Sequence, residues 1–175
     1  GAAIVAATAR GITIDTKDDG SPCTAADHAA EAVIMAALKA GAPGCLIVSE
    51  ESVEAGGAIT GSFFVVDPLD GTRDFIAGES DYSGNIAAIR NGRPIAGAVF
   101  APRLHQLYLG GSRAYVVTVA PGDALPGSSA WRPITTRPAP AAGLVALASR
   151  RHGDIESEAL LARLPIQAVE RRASA

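Results

Sequence analysis

Asp67-Pro68-Leu69-Asp70-Gly71-Thr72 sets two carboxylates three residues apart, next to a glycine and a hydroxyl. The apolar run Phe63-Phe64-Val65-Val66 before it reads as a strand, so Asp67 falls where side chains enter the crevice at a sheet's carboxyl edge. Pro68 stiffens the exit and removes a backbone donor. A turn then brings Asp70 to the side of Asp67, and Gly71 permits close approach of the backbone to a ligand. Thr72 is placed to cap a short helix over residues 73–76. Carboxylate oxygens suit a hard divalent cation, and magnesium takes a few of them together with water and substrate phosphate. The N–H groups of a helix start bind phosphate oxygens. The same six residues also make a good turn with no ligand at all, so this stretch alone leaves both readings open.

Other acids are needed to decide. The strand Cys45-Leu46-Ile47-Val48 delivers Glu50 and Glu51 at its carboxyl end, and Glu50 can complete a cation site. Thr24 occupies an N-cap position with Asp27 three residues on, a short capping box. Alone, Glu50-Glu51 is a solvated strand end and Asp27 a helix cap. With every acid at a strand end or helix start, the set favours a site. No His/Cys cluster is visible, which argues against zinc.

The elements that position these residues follow in order. Residues 1–7 read as the tail of a helix, and 12–16 as a short strand. A polar loop, Lys17-Asp18-Asp19-Gly20-Ser21-Pro22, leads to a helix from Thr24 to about residue 40, ended by Gly41 and Pro43. That helix is apolar on nearly every face and is expected to be buried between layers. A Gly/Ala-rich loop covers 55–58. Residues 84–90 and 93–100 flank Asn91-Gly92, a hairpin signal. Further strands are expected at 106–109 and 114–119, then a Pro/Gly/Ser-rich surface loop at 120–130. Prolines at 137–142 suggest a link between two subdomains, 1–137 and 138–175. In the second, 144–148 reads as a strand and 154–164 as a helix. The pattern stops in mid-element, which reads as a truncated or partly reported chain.

Composition narrows the class. The 175 residues carry a formal net charge of −3, with Lys and Arg scattered. No basic stripe points to a nucleic-acid polymer or a membrane surface. Cys23 and Cys45 are too few for a disulfide framework, lack metal-ligand spacing and read as reduced thiols. No apolar run is long enough to span a bilayer.

These motifs resemble the inositol monophosphatase superfamily, whose signature is Asp-Pro-(Ile/Leu)-Asp-Gly-Thr, preceded by an acidic pair like Ser49-Glu50-Glu51. Within it, Ser21-Pro22-Cys23-Thr24-Ala25-Ala26-Asp27, Thr72-Arg73-Asp74-Phe75-Ile76, Asn85-Ile86-Ala87 and Ser149-Arg150-Arg151-His152 are similar to the 3'(2'),5'-bisphosphate nucleotidase branch. The resemblance implies a layered α/β/α/β/α fold of the α+β and α/β kind, its second subdomain incomplete here. It implies a cytoplasmic Mg2+-dependent phosphomonoesterase of sulfur assimilation that hydrolyses 3'-phosphoadenosine 5'-phosphate to AMP, with two or three Mg2+ per site. Its partner would be a small phosphorylated metabolite, not a nucleic-acid polymer or membrane, and a homodimer is left open.

By the same likeness, Glu50, Asp67, Asp70 and the Leu69 carbonyl would bind metal. Asp27 and Thr72 would orient and deprotonate the attacking water. Gly71 and Thr72 N–H groups would hold the phosphate, and Ser149, His152 and Ser174 would lie near the nucleotide. One departure stands out: the superfamily's Trp-Asp pair, source of a further metal ligand, has no counterpart, since Trp131 is followed by Arg132. The alternatives are an inositol monophosphatase, a histidinol-phosphatase-like enzyme, or a truncated fragment that binds metal and phosphate without turnover.

Overall fold

A computed structural model of the chain describes residues 1–9, 13–17, 20–52, 59–150 and 153–172. The chain opens with α1 (Ala2–Ala9), then β1 (Ile14–Thr16) pairs antiparallel with β2 (Pro22–Thr24). Thr24 caps α2 (Ala25–Gly41) with the predicted capping box. Next come β3 (Leu46–Ser49), β4 (Ser62–Asp70) and the short α3 (Thr72–Ile76). A meander follows: β5 (Ser83–Arg90), β6 (Arg93–Ala101), β7 (Gln106–Gly110), β8 (Ala114–Thr118) and β9 (Arg132–Ile134). Strands β3 to β9 form one seven-stranded sheet in sequence order. Only β3 and β4 pair parallel within it; the other neighbours are antiparallel.

The β5–β6 hairpin turns where expected: Asn91 has φ 51° and Gly92 φ 73°, the two positive angles that an Asn-Gly turn supplies. β9 was not legible in the sequence. It follows Trp131, whose indole N–H donates to the Pro126 carbonyl at 2.9 Å and whose ring meets Tyr115 edge to face. These contacts fold the 120–130 loop back so that Arg132 can pair with Val116.

The helices α1 and α2 pack together on one face of the sheet. Ile4, Ala26, Ala30, Leu69, Phe75 and Tyr82 form the buried cluster there, with Phe75 and Tyr82 edge to face at 5.2 Å. Small residues on α2 let it approach closely. The expectation that α2 is buried between layers fails. Only Ala26, Asp27 and Ala30 of this helix are buried, and Val33 is 61% exposed. Its apolar surface exceeds what α1 and β4 cover.

β10 (Leu144–Ser149), α4 (Ile155–Leu161) and β11 (Ile166–Arg172) form a separate β-α-β unit whose strands pair parallel. Asp154 caps α4, accepting the Ser157 N–H at 2.6 Å. Among the described residues no helix is long and apolar enough to cross a membrane.

Candidate active site

Parallel pairing of β3 and β4, with Ser49 beside Val66, makes Glu50 and Asp67 leave neighbouring strands at the same end. Glu50 then starts a 3-10 turn (Glu50–Ser52). β4 does not stop at Asp67. Its register against β5 passes from Asp67 opposite Asn85 to Asp70 opposite Ser83, so three steps on β4 face two on β5. The extra residue is a bulge at Pro68-Leu69, where proline has no N–H to pair. Both residues are buried, and the bulge turns Asp67 and Asp70 toward Glu50.

Gly71 makes the next turn with φ 85° and ψ 33°. A Cβ there would lie 2.6 Å from the Asp81 carbonyl oxygen, so both conformation and space demand glycine. Thr72 is therefore the first residue of α3, with Gly71 at the cap; the expected capping by the Thr72 side chain does not occur. Its hydroxyl instead points back, 3.0 Å from the Leu69 carbonyl oxygen and 3.3 Å from Asp27 Oδ1.

Asp27 is 1% exposed and its two oxygens have different tasks. Oδ2 accepts the Thr24 N–H at 2.7 Å and the Thr24 hydroxyl at 2.6 Å, while Oδ1 faces Thr72. Burial raises the Asp27 pKa, and the Thr24 hydrogen bonds offset part of that rise.

Asp67 carries the strongest electrostatic signature. Burial, then the charges of Glu50 and Asp70, push its carboxyl up to about 7. Its Oδ1 atom is buried without a hydrogen-bond partner. A buried acceptor beside two further carboxylates is what a hard cation satisfies, and the donor set is all oxygen. The residues therefore fit a magnesium-type ion. Lys17 sits beside the cluster, its ammonium 2.9 Å from Glu50 and 2.6 Å from Glu51. Burial works against the Lys17 charge, but its bonds to Glu51 and Glu50 outweigh this and hold its pKa above the usual lysine value.

A cavity of about 280 Å³ opens over these groups, lined by Lys17, Glu50, Asp70, Gly71, Thr72 and Ser149 among others. Ser149, at the end of β10, thus reaches the same cavity from the second unit. Asp27 and Thr72 approach within 3.3 Å of each other, Leu69 is part of the bulge, and Asp67 and Glu50 lie beside it. His152 and Ser174 lie outside the described residues. Two basic residues were missed by sequence reasoning. Lys17 pairs with acids 33 and 34 positions away, and Arg150 reaches Asp81 at 3.2 Å and Asp74 at 3.7 Å. No local signal announces contacts at such separations.

The structure also corrects the absence of a His/Cys cluster. Cys23, His28 and Glu51 bring ligand atoms within 4.8 Å of one another. The signal was present but unread. Cys23 precedes the Thr24 cap and His28 is the fourth residue of α2, the two positions whose side chains pack across a helix start. Burial and the Glu51 hydrogen bond push the Cys23 thiol up to about 12.

The sheet and the bulged Asp-Pro-Leu-Asp-Gly-Thr segment with its facing acids give the chain its class. The chain belongs to the inositol monophosphatase family, whose family model matches residues 1–164. It is 43% identical over 96 residues to the 3'(2'),5'-bisphosphate nucleotidase CysQ of Shigella flexneri, covering 53% of this chain and 39% of that protein. It is 38% identical over 97 residues to a histidinol-phosphatase of Mycobacterium tuberculosis, covering 54% and 36%. The chain thus aligns with roughly two-fifths of the length of these relatives. The fold is shared with an IMPase/NADP phosphatase solved with Mg2+ and phosphate, at TM-score 0.68 and 16% identity over 96% of this chain and 60% of that one.

Proposed function

We propose that this chain supplies the metal- and phosphate-binding part of a magnesium-dependent phosphomonoesterase that acts on 3'-phosphoadenosine 5'-phosphate. The observation that carries this reading is Asp67 Oδ1, buried and unpaired between Glu50 and Asp70. Glu50, Asp67, Asp70 and the Leu69 carbonyl oxygen would hold the ion. When bound, Mg2+ lowers the pKa of water and neutralises phosphate charge.

The chain's own groups do the rest. The Gly71 and Thr72 N–H groups lie at the start of α3, where intrahelical partners are lacking, and bind the phosphate oxygens. The Thr72 hydroxyl orients the attacking water, and Asp27 Oδ1 takes up its proton. Asp27 suits this role because burial raises its proton affinity, while the Thr24 bonds fix its orientation. The water oxygen bonds to phosphorus as the ester P–O bond breaks, the leaving ribose oxygen takes a proton from solvent, and no covalent intermediate forms on the chain. Ser149, which lines the cavity from the end of β10, contacts the nucleotide.

The nucleotidase reading is favoured by the 43% identity to CysQ over 96 residues. Histidinol phosphate is the second reading, because that relative is nearly as similar over as long a stretch. Phosphate release from 3'-phosphoadenosine 5'-phosphate, inositol 1-phosphate and histidinol phosphate, compared at equal concentration, separates them. The nucleotide is expected to give the highest kcat/KM. A preference for either other substrate overturns the branch, and retained turnover in Asp70→Ala overturns the site.

A further inference from the structure

The cluster of Cys23, His28 and Glu51 stands beside the proposed magnesium site but has a different chemistry. Cys23 Sγ lies 3.6 Å from His28 Nε2 and 3.2 Å from Glu51 Oε2. In a tetrahedral zinc site, metal bonds of about 2.0 to 2.3 Å place ligand atoms about 3.4 to 3.6 Å apart. Both distances to sulfur are close to that value, and all three atoms lie within 4.8 Å.

Four further features fit a site. Cys23 is 4% exposed and the Glu51 side chain 5%, so two ligands are already held in place. His28 is exposed and can close on the ion from the solvent side. Glu51 divides its oxygens: Oε1 accepts from Lys17 at 2.6 Å, while Oε2 faces the thiol, so Lys17 need not leave. A cavity of about 240 Å³ borders the three side chains, with room for a water as fourth ligand.

We infer that Cys23, His28 and Glu51 form a second metal site, selective for a soft divalent cation such as Zn2+. Thiolate and imidazole ligands favour Zn2+ over Mg2+, whereas the Glu50, Asp67 and Asp70 oxygens have the opposite preference. Binding replaces the Cys23 proton, which leaves for solvent, by the metal; thiolate and carboxylate together balance the 2+ charge. No oxidation occurs.

Co2+ is the probe, added to the protein in excess Mg2+ so that the oxygen site is filled. The expected result is a near-ultraviolet thiolate-to-cobalt band that saturates at one equivalent and is displaced by Zn2+. Cys23→Ser should remove the band and Cys45→Ser should keep it. His28→Ala, at an exposed position that folding tolerates, should weaken Co2+ binding at least about 10-fold. No band in the wild type, a band surviving in Cys23→Ser, or unchanged affinity in His28→Ala overturns the site. None of these readouts depends on phosphatase turnover, so the two proposals fail separately.

Discussion

Asp27 Oδ1 stands 3.3 Å from the Thr72 hydroxyl, across 45 residues of chain. The contact ties the first turn of α2 to the first turn of α3. It also leaves the cap of α2 and the proposed proton acceptor as the same carboxylate, one oxygen for each task.

Thr72→Val keeps shape and removes the hydroxyl. It should lower kcat about 100-fold or more with little change in KM, the range expected when a proton-transfer partner is lost. The lost hydrogen bond should cost only about 1 kcal/mol of stability. Thr72→Ser should recover most of the rate. Steady-state kinetics with a urea melt checks both, and a kcat within a few-fold of wild type would remove Thr72 from the mechanism.

Asp67 predicts a pH effect on the metal-free protein. The native carboxyl titrates at about 7, whereas an unfolded aspartate titrates near 4, about its ordinary value. Between these values the native state holds more protons, so stability falls as pH rises through the window. In chelator, Asp67→Asn should match wild type near pH 4 and melt higher at pH 8. Adding Mg2+ at pH 8 should reverse that order. Calorimetric melts across pH give the answer, and parallel curves for the two proteins would mean that Asp67 is not held in a crowd of acids.

Gly71 is required by both angle and space. Gly71→Ala meets a carbonyl at 2.6 Å with φ at 85°, and should cost at least about 2 kcal/mol. Gly92 also has positive φ, at 73°, but open space around its Cβ position, so Gly92→Ala should cost about 1 kcal/mol. Equal losses in urea denaturation would show that the clash with Asp81 is relieved at no cost.

Much of this was readable because single residues have narrow physical uses. Asn91-Gly92 marks a turn that other pairs rarely make, and Thr24 with Asp27 spells a cap whose bonds form as expected. Asp67 and Asp70 were legible as neighbours because only two residues separate them. The bulge was not, since Pro68 reads equally as a strand's end. The exposure of α2 was illegible because apolar composition reports affinity for a layer, not whether one lies alongside. Lys17 and Arg150 find partners only through the fold, and Cys23 with His28 needed the helix start to be read as geometry.

On this proposal Glu50, Asp67 and Asp70 hold a cation on which hydrolysis depends. Phosphate release from 3'-phosphoadenosine 5'-phosphate, measured with Mg2+ and again with chelator, tests it most directly. Turnover with Mg2+ that vanishes in chelator and returns when Mg2+ is restored is the predicted result. Turnover at the same rate in chelator would contradict it.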